Sequence, residues 1–404
     1  MTTRYLDGAR YRSTFSQALI ALAFNLGGLL SGALAANLTP VFVRIPWMLV
    51  LFPMVLTVRG NIGGILSGKL GTMLHSGQIE PRLRGNTRDF YTLLQSVLFL
   101  TFIDTVAMGL IAFIVNFTAS YVTIGDLPLS AALPTLTCII AVAVATPITA
   151  TLAIGSFKRG LDPDVMVYPV TSTVNDILVT AVYTALIFGI TIERNFVFVM
   201  EIAFLLIAVL MGAIFLRQRR QRIFRNTLRE GGPTVILSSL FGTFNGIVLG
   251  SIRGLIDRSP SILVIYPALI DTLGDIGSII GSTTTTRLAL GYFNTFKEAL
   301  RSAATDLVAV ESSAAILHVL FGVTGFFLAT AQSINASMFS LVEVALISNL
   351  LSFFVISLIS LAVAVASFRR GWDPDNLVIP IITSLSDATA TLCLVAALAV
   401  LGFL

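Results

Sequence analysis

Two aspartates set deep in apolar runs, Asp176 and Asp387, carry the most specific chemistry in this chain. Each closes a copy of one motif: Ser156–Asp176 and Ser367–Asp387 lie 211 residues apart and share S-F-K/R-R-G-x-D-P-D, a proline seven residues before the final acid, and the acid itself. A carboxylate in hydrocarbon is expensive, so such groups face a bundle interior or water and mark ion paths. A second matched pair runs from Pro53 to Thr72 and from Pro267 to Thr286, offset by 214; it aligns Gly60 with Gly274, Asn61 with Asp275 and Gly63 with Gly277. Asp271 precedes Asp275 by one helical turn. The set Asp176, Asp387, Asp275, Asn61 and Asp271 is all oxygen. It suits a hard cation such as Mg2+, which prefers octahedral oxygen ligands and gives up water reluctantly. Mn2+ and Ca2+ fit the same donors. Cys138 and Cys393 lie in apolar runs, and His75 and His318 are far apart in sequence, which argues against a soft-metal centre. No cofactor is expected beyond the ion itself.

Helices crossing a bilayer must position these groups. The chain is 56% hydrophobic and 11% charged, where a soluble domain carries about 25% charged residues. Apolar stretches near 14–36, 46–75, 92–117, 131–155, 166–190, 196–216, 233–252, 261–291, 304–330, 339–366 and 376–402 predict eleven spans. The second and eighth are long enough to protrude or bend. Residues 1–12 lack the apolar core and cleavage site of a secretory signal, so the first span is expected to direct insertion. Asp176 stands 12 residues past Asp164. A helix rises about 1.5 Å per residue, which places it about 18 Å along, near the middle of a core about 30 Å thick.

Arginine and lysine orient the spans. With the N-terminus cytoplasmic and the C-terminus outside, eighteen basic residues fall on the cytoplasmic side. Only Arg44, Arg194, Arg253 and Arg258 fall on the other. Eleven spans divide as five, one and five. Five is odd, so the extra span at 196–216 returns the second set to the orientation of the first. The expected architecture is an all-α polytopic membrane protein of two parallel five-helix repeats, related by a pseudo-two-fold axis along the membrane normal. The expected segments are a cytoplasmic N-terminal stretch (1–13), the first repeat (14–191), a connecting helix with an Arg-rich loop (192–232) and the second repeat (233–404). One chain would then serve as a pseudo-dimer, with Mg2+ and the lipid bilayer as its partners and no nucleic acid.

The stretch P-x(5)-R-G-N-I-x(6)-K-L-x-T at Pro53–Thr72, with D-P-x(5)-P-x(6)-D before Asp176 and Asp387, resembles the signatures of the MgtE magnesium channels and the related solute-carrier family 41. The resemblance covers the chain as two five-helix units. It implies a fused form of the unit that bacterial MgtE assembles as a homodimer, with the fifth-helix aspartates lining a pore in the cell membrane. Departures are Gly63 where solute-carrier members often have glutamate, Asp275 for the usual asparagine and Thr283 for a basic residue. The regulatory domains of bacterial MgtE have no counterpart here, so its gating does not transfer.

The leading expectation is Mg2+ transport through an axial site lined by Asp and Asn from both repeats. A Na+- or H+-coupled exchanger is the alternative. A Mg-dependent prenyltransferase is a remote one, because the acidic turns are D-P-D and the basic residues do not cluster; no enzyme is expected. Arg59 is expected to pair with Asp271 or Asp275, and Lys69 to reach an interface. Gln95 and Glu311 are expected to bond between helices, with Glu311 a secondary ligand. Asp162 and Asp373 read as N-caps, with Asp164 and Asp375 as first-turn charges. Pro169 and Pro380 are expected to bend the fifth helices.

Overall fold

The computed structural model describes residues 8–159, 163–193, 195–289, 291–293, 295–370 and 374–403, with side chains at 163–169, 289 and 374–381 excluded. Asp162 and Asp373 lie outside these residues, as do the side chains of Asp164, Asp375, Pro169 and Pro380. In chain order the helices are α1 (Gly8–Ala23), α2 (Gly28–Ala36), α3 (Thr39–Arg44), α4 (Pro46–His75), α5 (Arg88–Thr118), α6 (Leu127–Lys158), α7 (Pro163–Ile192), α8 (Phe196–Gln218), α9 (Arg222–Ser251), α10 (Arg253–Arg258), α11 (Ser261–Ala289), α12 (Phe296–Ala331), α13 (Met338–Arg369) and α14 (Pro374–Val400). Eleven spans among the described residues are long and apolar enough to cross a bilayer. The protein is an all-α, polytopic membrane protein. Lipid offers no partner for a backbone amide, so each span must satisfy its own hydrogen bonds as a helix.

Two boundaries differ from the hydropathy reading. Helix α9 begins at Arg222, eleven residues before the apolar run, and contains Pro233. Its first turns carry arginines that hydropathy counts as loop. Helix α12 begins at Phe296, where the Thr295 hydroxyl accepts from the Glu298 amide at 3.3 Å. Such a cap starts a helix before any apolar residue requires one. The first span is also interrupted. A 3-10 turn at Phe24–Gly27 separates α1 from α2 and carries the fully buried Asn25.

The chain divides into two compact units, Leu38–Arg253 and Met1–Asn37 with Gly254–Leu404. The first will be called the middle unit, the second the terminal unit. In the middle unit α9 packs on α4 and α5, α7 on α4 and α6, and α8 on α5 and α6. Side chains of α8 such as Leu206 and Val209 stay exposed, as befits a peripheral connecting span. In the terminal unit α2 packs on α11, α1 on α12, and α13 and α14 complete the bundle around α11. The first span of each sequence repeat thus belongs to the compact unit built from the other repeat's remaining helices.

Close packing recurs at matched positions. A Cβ on Gly32 would overlap the Val264 carbonyl oxygen, and one on Gly246 would overlap that of Val50. Both members of each pair are shifted by 214. Helices α2 and α9 therefore approach α11 and α4 to backbone contact, as small residues permit in membranes. The third span of each half also ends alike. Ser120 and Ser333 adopt positive φ of 59° and 61°, and the next amides, of Tyr121 and Ile334, return to Asn116 and Ala329.

Candidate functional site

In the middle unit the polar residues of α4, α5, α7 and α9 come together in pairs. Arg59 is 4% exposed and its Nη2 forms an ion pair with Asp176 Oδ1, while Asp176 is fully buried. Arg59 Nη1 donates to the Ser172 hydroxyl at 2.7 Å and to the Ser172 carbonyl at 3.2 Å. The partner expected for Arg59 was Asp271 or Asp275; the structure pairs it with Asp176 instead. Both ends project from adjacent helices of one bundle, and the one-turn spacing of Ser172 and Asp176 on α7 lets a single guanidinium address both. Two residues on, buried Asn61 donates through Nδ2 to the Ser238 hydroxyl, which itself donates to the Thr234 carbonyl. Next to it, the Ser239 hydroxyl donates to Asp104 Oδ1 at 2.6 Å, and Asp104 is fully buried on α5.

The terminal unit uses the same helices differently. Asn25, at the break in the first span, donates through Nδ2 to Asp275 Oδ2 at 2.9 Å. This bond matches Asn61–Ser238: residues 61 and 275 are both met by the first-span helix packed against them. Asp387 on α14 lies against Gly274, where a Cβ would stand 3.9 Å from Oδ1. Tyr266 Oη and Thr391 Oγ1 lie 3.0 Å apart, and Thr391 donates to the Asp387 carbonyl at 2.8 Å. Asp271, Asp275 and Asp387 are each half-buried, in contrast to sealed Asp176. Glycines allow the acid-bearing helices to approach: a Cβ on Gly63 would stand 3.2 Å from Asn175 Nδ2, and one on Gly277 would stand 2.8 Å from Ser386 Oγ.

Several secondary expectations have concrete outcomes. Gln95 accepts from Gln218 at 2.6 Å and Glu311 accepts from Asn349 at 2.9 Å, both bonds between helices. Lys69 pairs with Glu230 at 2.6 Å on part-exposed surface. Sequence reasoning missed Asn25, Asp104 and Asp306. Asp306 receives Arg10 Nε at 3.0 Å, Thr14 Oγ1 at 3.1 Å and Arg287 Nη1 at 2.5 Å, so it ties the ends of α1, α11 and α12 together. The positions 214 residues from Arg10 and Arg287 are Phe224 and Met73, both buried. One half closes this end with charge and the other with apolar packing. Among the described residues no three His, Cys, Asp or Glu side chains gather as a metal cluster. The donors within each unit are carboxylates, amides and hydroxyls, a set that can hold a hard ion through its water shell and has little affinity for a soft one.

A family model described as a divalent cation transporter, MgtE, matches residues 52–186 and 266–397. One matched segment lies within each compact unit. Solute carrier family 41 member 3 of Rattus norvegicus is 21% identical over 94% of this chain and 85% of its own length. Solute carrier family 41 member 2 of Gallus gallus is 22% identical over 96% of this chain and 71% of its own, and that of Xenopus laevis is 22% identical over 88% and 64%. No solved structure matches. With two matched segments spanning more than half its length, and an acid or amide at the same place in each, the chain belongs to the MgtE family of divalent cation transporters.

Proposed function

We propose that this protein carries Mg2+ across the membrane through an axial site lined by aspartate and asparagine from both sequence repeats: Asp176 and Asn61 from one, Asp387, Asp275 and Asp271 from the other. The observation that carries this reading is the placement of the five residues. Each family-matched segment puts its acid or amide on its second and fifth helices, at the same repeat positions, where a glycine opens the approach between them. The donors are hard oxygens, and they are few enough to leave Mg2+ most of its water. The two repeats stand parallel about a pseudo-two-fold axis, with α8 as the span that restores parity, and the N-terminus cytoplasmic by the arginine bias. One chain then supplies both halves of the pathway.

A second reading, exchange coupled to Na+ or H+, draws on Asp104 and Glu311. These are carboxylates on the third span of each half, and each is held by a neutral donor, Ser239 or Asn349. Flux that depends on a sodium or proton gradient would favour it.

The test is Mg2+ flux into proteoliposomes holding purified protein. The double variant Asp176→Asn/Asp387→Asn is expected to lose at least about tenfold in flux, as expected when an intramembrane ion site loses its charge. Full flux in that variant would end the proposal.

A further inference from the structure

Four matched positions differ in charge between the repeats. Thr57, Arg59, Asn61 and Asp176 stand in the first where Asp271, Leu273, Asp275 and Asp387 stand in the second. The first set is neutral overall, because Arg59 cancels Asp176. The second carries three negative charges. Geometry makes the cancellation permanent. The guanidinium is buried, pinned by both Ser172 oxygens and paired with a carboxylate that has no exposed surface. Arginine does not lose its proton in proteins. A buried pair of this kind stays together, because separating it strands a charge away from water.

The other carboxylates are held differently. Asp275 takes a bond from the Asn25 amide, which leaves its charge in place. Asp271, Asp275 and Asp387 each keep part of their surface open. We infer that Arg59 is a specificity-determining residue: its guanidinium stands in for a bound cation at Asp176, so that the transported ion is held by Asp271, Asp275 and Asp387 of the terminal unit alone. This rests on the transport reading above and assigns its five residues unequal parts. Asp176 anchors Arg59 and is a positioning residue. Asn61 offers a neutral oxygen.

The consequence is a limit on how tightly the ion is held. Conduction needs a site strong enough to fill and weak enough to empty. Three carboxylates exceed the charge of one Mg2+ by a single unit; a fourth, released from Arg59, would hold the ion against release.

The experiment measures Mg2+ flux against Mg2+ concentration for wild type, R59L, D176N, R59L/D176N and D387N, with a thermal melt of each in detergent. R59L installs the residue present at the matched position. It is expected to lower the half-saturating concentration and the maximal flux. D176N leaves an unpaired arginine in the path, and flux is expected to fall by about tenfold or more. R59L/D176N removes both charges together and restores the wild-type balance, so its half-saturating concentration is expected to return to within about threefold of wild type. A double variant that moves no more Mg2+ than D176N would show Asp176 to be a ligand in its own right and overturn the inference. D387N separates the two levels: unchanged flux there sinks the transport reading itself, whereas loss there without recovery in the double variant sinks only the part assigned to Arg59. Should D176N alone melt early, the double variant against wild type still decides.

Discussion

Asp104 shows what a single deep carboxylate asks of this bundle. It is fully buried on α5, with Oδ1 bonded to Ser239 and no hydrogen-bond partner for Oδ2 among the described residues. A buried acceptor that loses its donor forfeits about 1–3 kcal/mol, more when charged. Ser239→Ala is therefore expected to lower the melting temperature of purified protein by several degrees, and Ser239→Thr, which keeps the hydroxyl, by much less. Equal melting of Ser239→Ala and wild type would show that the bond contributes nothing. Asp104 is as visible in the sequence as Asp176, since both interrupt apolar runs. It escaped notice because no acid stands 211 to 214 residues later, and matched repetition was the signal used to pick out Asp176 and Asp387. Asn25 was hidden for another reason. An amide in an apolar span carries no charge, and only the break at Phe24–Gly27 directs it at Asp275.

Among the elements, the pairs α2 with α11 and α9 with α4 depend on glycine at one crossing point each. Adding a methyl at Gly32 or Gly246 drives it into a backbone carbonyl, Val264 or Val50, which no side-chain rotation can relieve. Overpacking of this kind costs about 1–3 kcal/mol. Gly32→Ala and Gly246→Ala are each expected to destabilise the protein in a thermal melt. Gly212→Ala on α8, with open space around it, is expected to be neutral or slightly stabilising, because alanine loses less backbone freedom in a helix. Similar melting of all three variants would refute the close crossing. Helix existence was legible because every span must be apolar and about 20 residues long to cross. The starts of α9 and α12 were not, since arginine-rich turns and a threonine cap extend a helix without adding hydrophobicity.

At the level of the whole molecule, the exchange of first spans makes a claim that cross-linking can test. A Cβ on Gly28 would lie 3.4 Å from that of Ala268, and one on Gly242 would lie 3.5 Å from that of Met54. Disulfides join Cβ atoms about 3.5–4.5 Å apart. In a background with Cys138 and Cys393 replaced, the pairs Gly28→Cys/Ala268→Cys and Met54→Cys/Gly242→Cys are both expected to oxidise. A protease site placed at Arg219–Arg220, in the turn between α8 and α9, would give two fragments that stay joined until reductant is added. Separation without reductant would contradict the division into Leu38–Arg253 and the two chain ends.

From the residue order alone come the eleven spans, the two 211–214 periods and the acids and amides at matched depths. Lipid is a uniform solvent that every helix must satisfy by itself, so hydropathy is a local property and can be read locally. Which half each first span joins, and that Arg59 closes on Asp176 instead of Asp271 or Asp275, followed only from the packed bundle. Those choices depend on how each helix is rotated against neighbours distant in the chain, and a charge placed in hydrocarbon takes the counter-charge that packing brings within reach.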